Sequence, residues 1–270
     1  ETSKNLDINL KLFAYEKDLY QPISKVAKII VGKLWNDIEI DNHIINTIEK
    51  FQIDIVLANT DPSSLSLSRI SEFHKSCFLS SKLSSVEICF SKIKFQKFCE
   101  NNNLPIIPSQ TNTFPILAKP DKGSASKGIK ILYDENEKNK FLNAQKDKYL
   151  LQKYIDGIEY TVDIYISKTK EICCISPRVR ISVLGGESNI TKTINNNEIK
   201  EICKKVLKKI NLMGPITIQL IQDKNTLKYY LMEINPRLGG AVTASIKAGY
   251  NIPSMIINDF LNQKNHVIYN

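Results

Sequence analysis

The apolar pattern predicts a mixed fold, α/β in the first eighty residues and α+β beyond, on three observations. INLKLFAYE alternates as a strand, DNHIINTIEKFQ carries apolar residues at helical spacing with Asp41 placed to cap it, and IDIVLANTD reads as a buried strand ending in a polar tip. In the middle, ILAKPDKGSASKGIKIL reads as a strand, a Gly/Ser loop and a second strand. Near the end, GPITIQLIQD and TLKYYLMEIN flank the polar DKNT, the signature of an antiparallel hairpin.

Composition bounds the rest. The chain has 270 residues, 42% hydrophobic and 24% charged, enough for two or three compact units. It holds no apolar run long enough to span a membrane, and ETSKNLDINLKLFAYEKD is charged throughout without the apolar core of a signal peptide, so no membrane partner is expected. Six cysteines lack zinc-ligand spacing, and adjacent Cys173 and Cys174 would point to opposite faces of one strand. They read as buried thiols in a reducing, cytoplasmic compartment. The formal charge of +9 is carried by scattered lysines, and the densest run, Lys204 to Ile210, suits the solvated face of an amphipathic helix. Nucleic acid is therefore not the expected partner; a small anionic substrate is compatible.

The chemistry concentrates in YLMEINPRLGG, Tyr230 to Gly240. On a strand, Glu233 and Asn235 share a face while Ile234 points into a core. Pro236 then ends the strand, and Arg237 leaves at its rim. Two oxygen ligands side by side suit Mg²⁺, which takes one or two carboxylates and completes its octahedron with phosphates and water. The planar guanidinium suits a bidentate phosphate contact. On the preceding strand of the hairpin, Gln219 lies opposite Glu233 as a third ligand; taken alone it would be an ordinary cross-strand hydrogen bonder.

The order Gln219, then Glu233-x-Asn235-Pro236-Arg237, then the small-residue helix AVTASIKAGY, resembles the C-terminal half of an ATP-grasp ligase of the carbamoyl-phosphate synthase large-subunit type. That resemblance implies upstream parts, each with a candidate. Lys119 ends an apolar strand and is followed by a loop in which Gly123, Ser124, Ser126 and Gly128 can lay N–H groups and hydroxyls on phosphates. It is no Walker A loop, because Gly128 is followed by Ile129. YLLQKYIDGIEY is similar to the family's adenine hinge, which maps onto Gln152, Lys153, Tyr154 and Ile155, with Glu159 as the ribose carboxylate; Lys153 stands where Glu is usual. SKIKFQKF resembles the helix that feeds a lysine to the phosphates, with Lys92 in that role and Ser91 where Asp is usual, although a lysine beside Lys94 and Lys97 is more often only solvated. Arg178 and Arg180 share one strand face that the resemblance turns toward substrate, which of the two touches it staying open.

The resemblance implies an ATP-grasp fold, two α+β subdomains sandwiching ATP. Residues 82–150 would carry the phosphate loop and residues 151–270 the metal site. Residues 1–81 would form a pre-ATP-grasp α/β domain whose first strand is missing, so it reads as N-terminally shortened. Asp61, at a strand tip, either caps an Asx-turn or reaches the cleft. The implied reaction is ATP-dependent ligation of a carboxylate to an amine through an acyl phosphate, releasing ADP and phosphate. The cofactors would be ATP and Mg²⁺, or Mn²⁺; Lys92 and Lys119 would neutralise charge, Arg237 would stabilise the transferring group, and the loop from Asp121 to Lys127 would close over the site. Two rivals stand beside it: phosphorylation of bicarbonate or carbamate, and nucleotide binding without turnover in support of a partner. A homodimer is compatible with each.

Overall fold

The computed structural model describes residues 7–74, 80–109, 112–123, 127–145 and 148–268. Among these, three sheets follow one another along the chain.

The first unit pairs β1 (Phe13–Glu16) with β2 (Lys28–Val31) in parallel and packs α1 (Ile40–Phe51) and α2 (Asp61–Ser71) beside them. Its core is small: Ile40 and Ile44 from α1 meet Leu67 and Ile70 from α2, with Tyr15, Trp35 and Val56 partly buried around them. Two expectations fail here. The strand expected over IDIVLANTD does not form among the described residues, where only Val56 makes a bridge. Asp41 does not cap α1, whose N-cap is Glu39. Its carboxylate instead takes Arg69 Nε at 2.8 Å and Nη2 at 2.9 Å, and Ser66 Oγ, tying α1 to α2. The start of α2 is closed by a capping box between Thr60 and Ser63, which puts Asp61 in the first helical turn.

After α3 (Leu83–Phe90) and α4 (Lys92–Asn101) comes a three-stranded antiparallel sheet with β3 (Ile116–Pro120) between β4 (Lys130–Leu132) and β5 (Tyr149–Lys153), covered by α5 (Glu135–Ala144). Ile116, Ala118 and Leu132 are fully buried against Phe114, Phe141 and Tyr149.

The third sheet is antiparallel, ordered β10-β9-β6-β7-β8, from β6 (Gly157–Ile166), β7 (Ile172–Leu184), β8 (Glu187–Thr193), β9 (Gly214–Asp223) and β10 (Tyr229–Asn235). Its two faces differ in kind. One carries Val162 and Ile164 of β6, Ile216, Ile218 and Leu220 of β9, and Leu231 and Ile234 of β10, all buried. Against it lies α6 (Asn197–Leu207), capped by the Asn196 side chain, which buries Ile199, Ile202, Cys203, Val206 and Leu207 at helical spacing. Each such side chain contributes roughly 1.5–3 kcal/mol on burial. The intervening residues point the other way: Glu159, Thr161 and Asp163 on β6, Arg178 and Arg180 on β7, Thr217 and Gln219 on β9, Glu233 and Asn235 on β10. Beyond this polar face, α7 (Val242–Lys247) and α8 (Ile252–Phe260) close the sheet's far end over Tyr165, Cys173 and Cys174. The described residues contain no helix long and apolar enough to cross a membrane.

Candidate active site

The polar sheet face, β3, the segment after β5 and the start of α2 enclose one cleft of about 630 Å³. Lys92, Lys119, Gly123, Lys153, Tyr154, Ile155, Glu159, Arg178, Arg180, Gln219, Glu233, Asn235 and Arg237 all line it. Gln152 and Gly128 do not. The Gln152 side chain is buried on the opposite side of β5 and donates to Gln96 Oε1 at 2.7 Å, because alternation along β5 turns it away from the cleft. Gly128 lies against Pro120 and Tyr149 with φ +75°, and Gly123 has φ +124°, so both occupy backbone that favours glycine. Ser124 and Ser126 lie outside the described residues.

At the end where a metal is expected, Gln219 pairs directly with Glu233 and Thr217 with Asn235, after a bulge between Leu231 and Glu233 sets the register. Asn235 Nδ2 donates to Glu233 Oε1 at 2.9 Å, which leaves the Asn235 carbonyl oxygen free to turn to a cation. A hard divalent cation fits this donor set. The described residues offer no cluster of three His, Cys, Asp or Glu, but one carboxylate with two amide oxygens leaves the remaining positions to phosphates and water, as Mg²⁺ prefers.

Lys119 reaches the same end from β3. It is 6% exposed, and burial holds its ammonium below the usual lysine value of 10.5 despite the opposing pull of Glu233, with Lys92 depressing it further. Lys92 begins α4, whose N-cap Ser91 accepts from Lys94 N at 3.1 Å. The same hydroxyl donates to Asp121 Oδ1 at 2.6 Å, and Ile93 N donates to that oxygen at 2.9 Å. The helix start is thus fastened to the residue that opens the expected phosphate loop, and Lys92 Nζ donates to Gly123 O at 2.8 Å.

The segment expected as the hinge is part-committed. Lys153 N donates to Pro108 O at 2.9 Å and Tyr154 N to Pro115 O at 3.1 Å, whereas Ile155 N has no main-chain partner among the described residues. Glu159, further along, accepts from Arg180 Nη1 at 2.6 Å.

The two β7 arginines are held differently. Arg180 makes four hydrogen bonds, from Nη1 to Glu159 and to Gln219 Oε1 (3.2 Å), from Nη2 to Gly186 O (2.6 Å) and from Nε to Ser188 Oγ (3.1 Å). Arg178, 2% exposed, bonds through Nε to Asp163 Oδ2 at 2.8 Å and through Nη1 to Ser188 Oγ at 3.3 Å, and turns Nη2 toward Gly239. Ser245 Oγ of α7 donates to the same Asp163 oxygen at 2.7 Å. Asp163 is not among the residues that the sequence singles out; its one local signal is its place on the β6 face shared with Glu159 and Thr161.

Arg237 sits at the rim, its Nε paired with Asp61 Oδ1 of α2 and its Nη1 on Leu238 O at 3.2 Å. Asp61 is therefore no strand tip. It enters the cleft from a helix start.

Comparison with known proteins agrees with this geometry. Residues 145–269 match the family model described as ATP-grasp in the biosynthetic pathway with Ter operon. The carbamoyl phosphate synthase large chain of Saccharolobus solfataricus is 24% identical over 221 residues, 71% of this chain, which spans 21% of that relative's length. Among solved structures, N5-carboxyaminoimidazole synthetase from Staphylococcus aureus superposes with a TM-score of 0.78 at 17% identity, covering 98% of this chain and 73% of that one. The biotin carboxylase domain dimer of Hydrogenobacter thermophilus 2-oxoglutarate carboxylase, in complex with MgADP, ADP and bicarbonate, gives 0.76 at 16% identity, covering 97% and 66%. The chain accordingly has the ATP-grasp fold, and its sequence is similar to that of the carbamoyl phosphate synthase large chain.

Proposed function

We propose that this chain is an ATP-dependent carboxylate–amine ligase that acts through an acyl phosphate and releases ADP and phosphate. The observation that carries the reading is the convergence in one cleft of two lysines, the Gln219, Glu233 and Asn235 oxygens and Arg237. MgATP, when bound, would supply the phosphoryl group and the metal charge that offsets its phosphates. Main chain at Ile155 meets the adenine edge and Glu159 the ribose; of the expected hinge residues, Gln152 contributes backbone position alone. Gln219, Glu233 and Asn235 would hold Mg²⁺, for which Mn²⁺ would substitute. Lys92 and Lys119 neutralise phosphate charge, and Arg237 stabilises the transferring group at the point where that charge is redistributed.

Of the two β7 arginines, Arg178 is the contact for the carboxylate substrate. It keeps unspent donors at the cleft, whereas Arg180 spends four on Glu159, Gln219, Gly186 and Ser188 and so acts through the groups that it holds. Sequence similarity to the carbamoyl phosphate synthase large chain favours a second reading, phosphorylation of bicarbonate or carbamate. We also place the chain in the cytoplasm: among the described residues five buried thiols are unpaired, and burial pushes Cys99 and Cys174 up to about 12, as suits a reducing compartment. We take the homodimer of the biotin carboxylase domain as the assembly to test first.

The test is a thermal melt. A ligand that binds only the folded protein adds RT ln(1 + [L]/Kd), about 2.7 kcal/mol at a hundredfold excess. MgATP should raise the melting temperature of the wild type, and Glu233→Ala should lose most of that rise. A wild-type melt that MgATP does not move would reject the ATP reading.

A further inference from the structure

The N-terminal unit touches the cleft where the chemistry is proposed. Asp61 Oδ1 of α2 pairs with Arg237 Nε, and Ser64 Oγ, one turn along the same helix, donates to Pro236 O at 3.1 Å. From the other side Thr217 Oγ1 of β9 donates to Arg237 O at 3.0 Å. The turn that carries Arg237 is thereby pinned from two separate units, and its side chain by a third contact. Both partners of the ion pair are largely shielded, at 18% and 21% side-chain exposure, so it is not a solvated surface pair. A guanidinium has five N–H donors in a rigid fork. With Nε on Asp61 and one Nη1 hydrogen on Leu238 O, the remaining donors are those of Nη2 and the second Nη1 hydrogen, a fixed set that a phosphoryl group can meet without rotation of the side chain.

We infer that Asp61 is a positioning residue for phosphoryl transfer: it holds the Arg237 fork in its working orientation, so that the N-terminal unit serves the transfer step and not nucleotide binding. The inference rests on the ATP reading and adds to it. A fork left free by loss of Asp61 would still reach the phosphates, but only in a fraction of its rotamers, and a loosened orienting contact of this kind typically costs about 10- to 100-fold in function.

The test uses the whole chain and needs no knowledge of the acyl or amine substrate. Calorimetry gives the Kd of MgADP alone and of MgADP with aluminium fluoride, a mimic of the phosphoryl group in transit, for wild type, Asp61→Ala, Asp61→Glu, Arg237→Ala and the double variant. In the wild type, fluoride should tighten MgADP binding. Asp61→Ala should leave the MgADP Kd within about threefold and lose about 10- to 100-fold of the fluoride-dependent gain, with partial recovery in Asp61→Glu. The double variant should be no worse than Arg237→Ala, because Asp61 acts through Arg237. A fluoride gain intact in Asp61→Ala, absent in the wild type, or lost additively in the double variant overturns the inference, as does an equal loss of MgADP affinity. Failure of the wild type to bind MgADP at all would reject the ATP reading instead. Melting temperatures of the variants, and Asp61→Asn as an isosteric replacement, separate these outcomes from misfolding.

Discussion

Lys119→Met should make the empty protein more stable and the nucleotide-bound protein less so. Lys119 lies at 6% exposure on a central strand, and its pKa is lowered chiefly by burial, with Lys92 adding to the effect and Glu233 and Glu159 opposing it. A lowered lysine pKa means that the folded protein disfavours the ammonium, so a neutral, unbranched side chain one atom shorter relieves that cost. Replacing buried charge with apolar side chains typically returns about 1–4 kcal/mol, and the nearby carboxylates place Lys119 toward the lower end, about 1–2 kcal/mol. At roughly 2–4 °C per kcal/mol for a chain near this size, the apo melting temperature should rise by about 2–8 °C. The MgATP-dependent rise should meanwhile vanish, because the phosphates lose the charge meant for them. The gap has a pH signature. Between the lowered folded value and 10.5 the unfolded chain binds the extra proton, so wild-type stability rises with pH across that window and the advantage of Lys119→Met shrinks. Calorimetric melts at pH 7 and across pH 8 to 10, with and without MgATP, measure all three effects. An apo variant less stable than wild type, or one that keeps the nucleotide shift, would refute the argument that this strand holds a cation at the expense of stability.

The remaining expectations concern neighbouring groups. Arg178→Lys should raise the KM for the carboxylate substrate, once found, with little change in nucleotide Kd, while Arg180→Lys should weaken nucleotide binding through Glu159 and Gln219; steady-state kinetics and calorimetry separate the two, and the reverse pattern would exchange their roles. Gly239→Ala should cost about 1–3 kcal/mol, since its Cβ would lie 3.0 Å from Thr217 Oγ1 and 3.1 Å from Asp163 Oδ1. Gly240→Ala should cost under about 0.5 kcal/mol because it meets only the end of the Glu187 side chain, so urea titrations of the pair should rank them clearly. Glu159→Ala should weaken MgATP binding by about 1.5–3 kcal/mol whereas Lys153→Glu should leave it nearly unchanged, and equal affinities by calorimetry would show that Glu159 does not reach the ribose.

What the sequence alone determined is the part governed by short periods. Glu233 and Asn235 share a face and Ile234 is buried because alternation along one strand requires it, and the polar DKNT turn brings the Gln219 strand alongside, although the bulge between Leu231 and Glu233 sets the register. The same period holds Arg178 and Arg180 together on one face of β7. The resemblance that these residues carried reached the ATP-grasp fold for the same reason. Contacts between distant segments were not legible. Asp41 reads locally as a cap, yet it spends its carboxylate on Arg69, a partner 28 residues on, because a charge-assisted pair competes with capping only once α1 and α2 meet. IDIVLANTD has strand composition, yet among the described residues it forms only the bridge at Val56. Gln152 belongs to the right segment, but the twist and pairing of β5 decide which side chains face the cleft. Asp61 meets Arg237 across 176 residues, and Asp163 engages Ser245 across 82. No periodicity encodes such pairs, since they exist only where packed units bring their polar faces together.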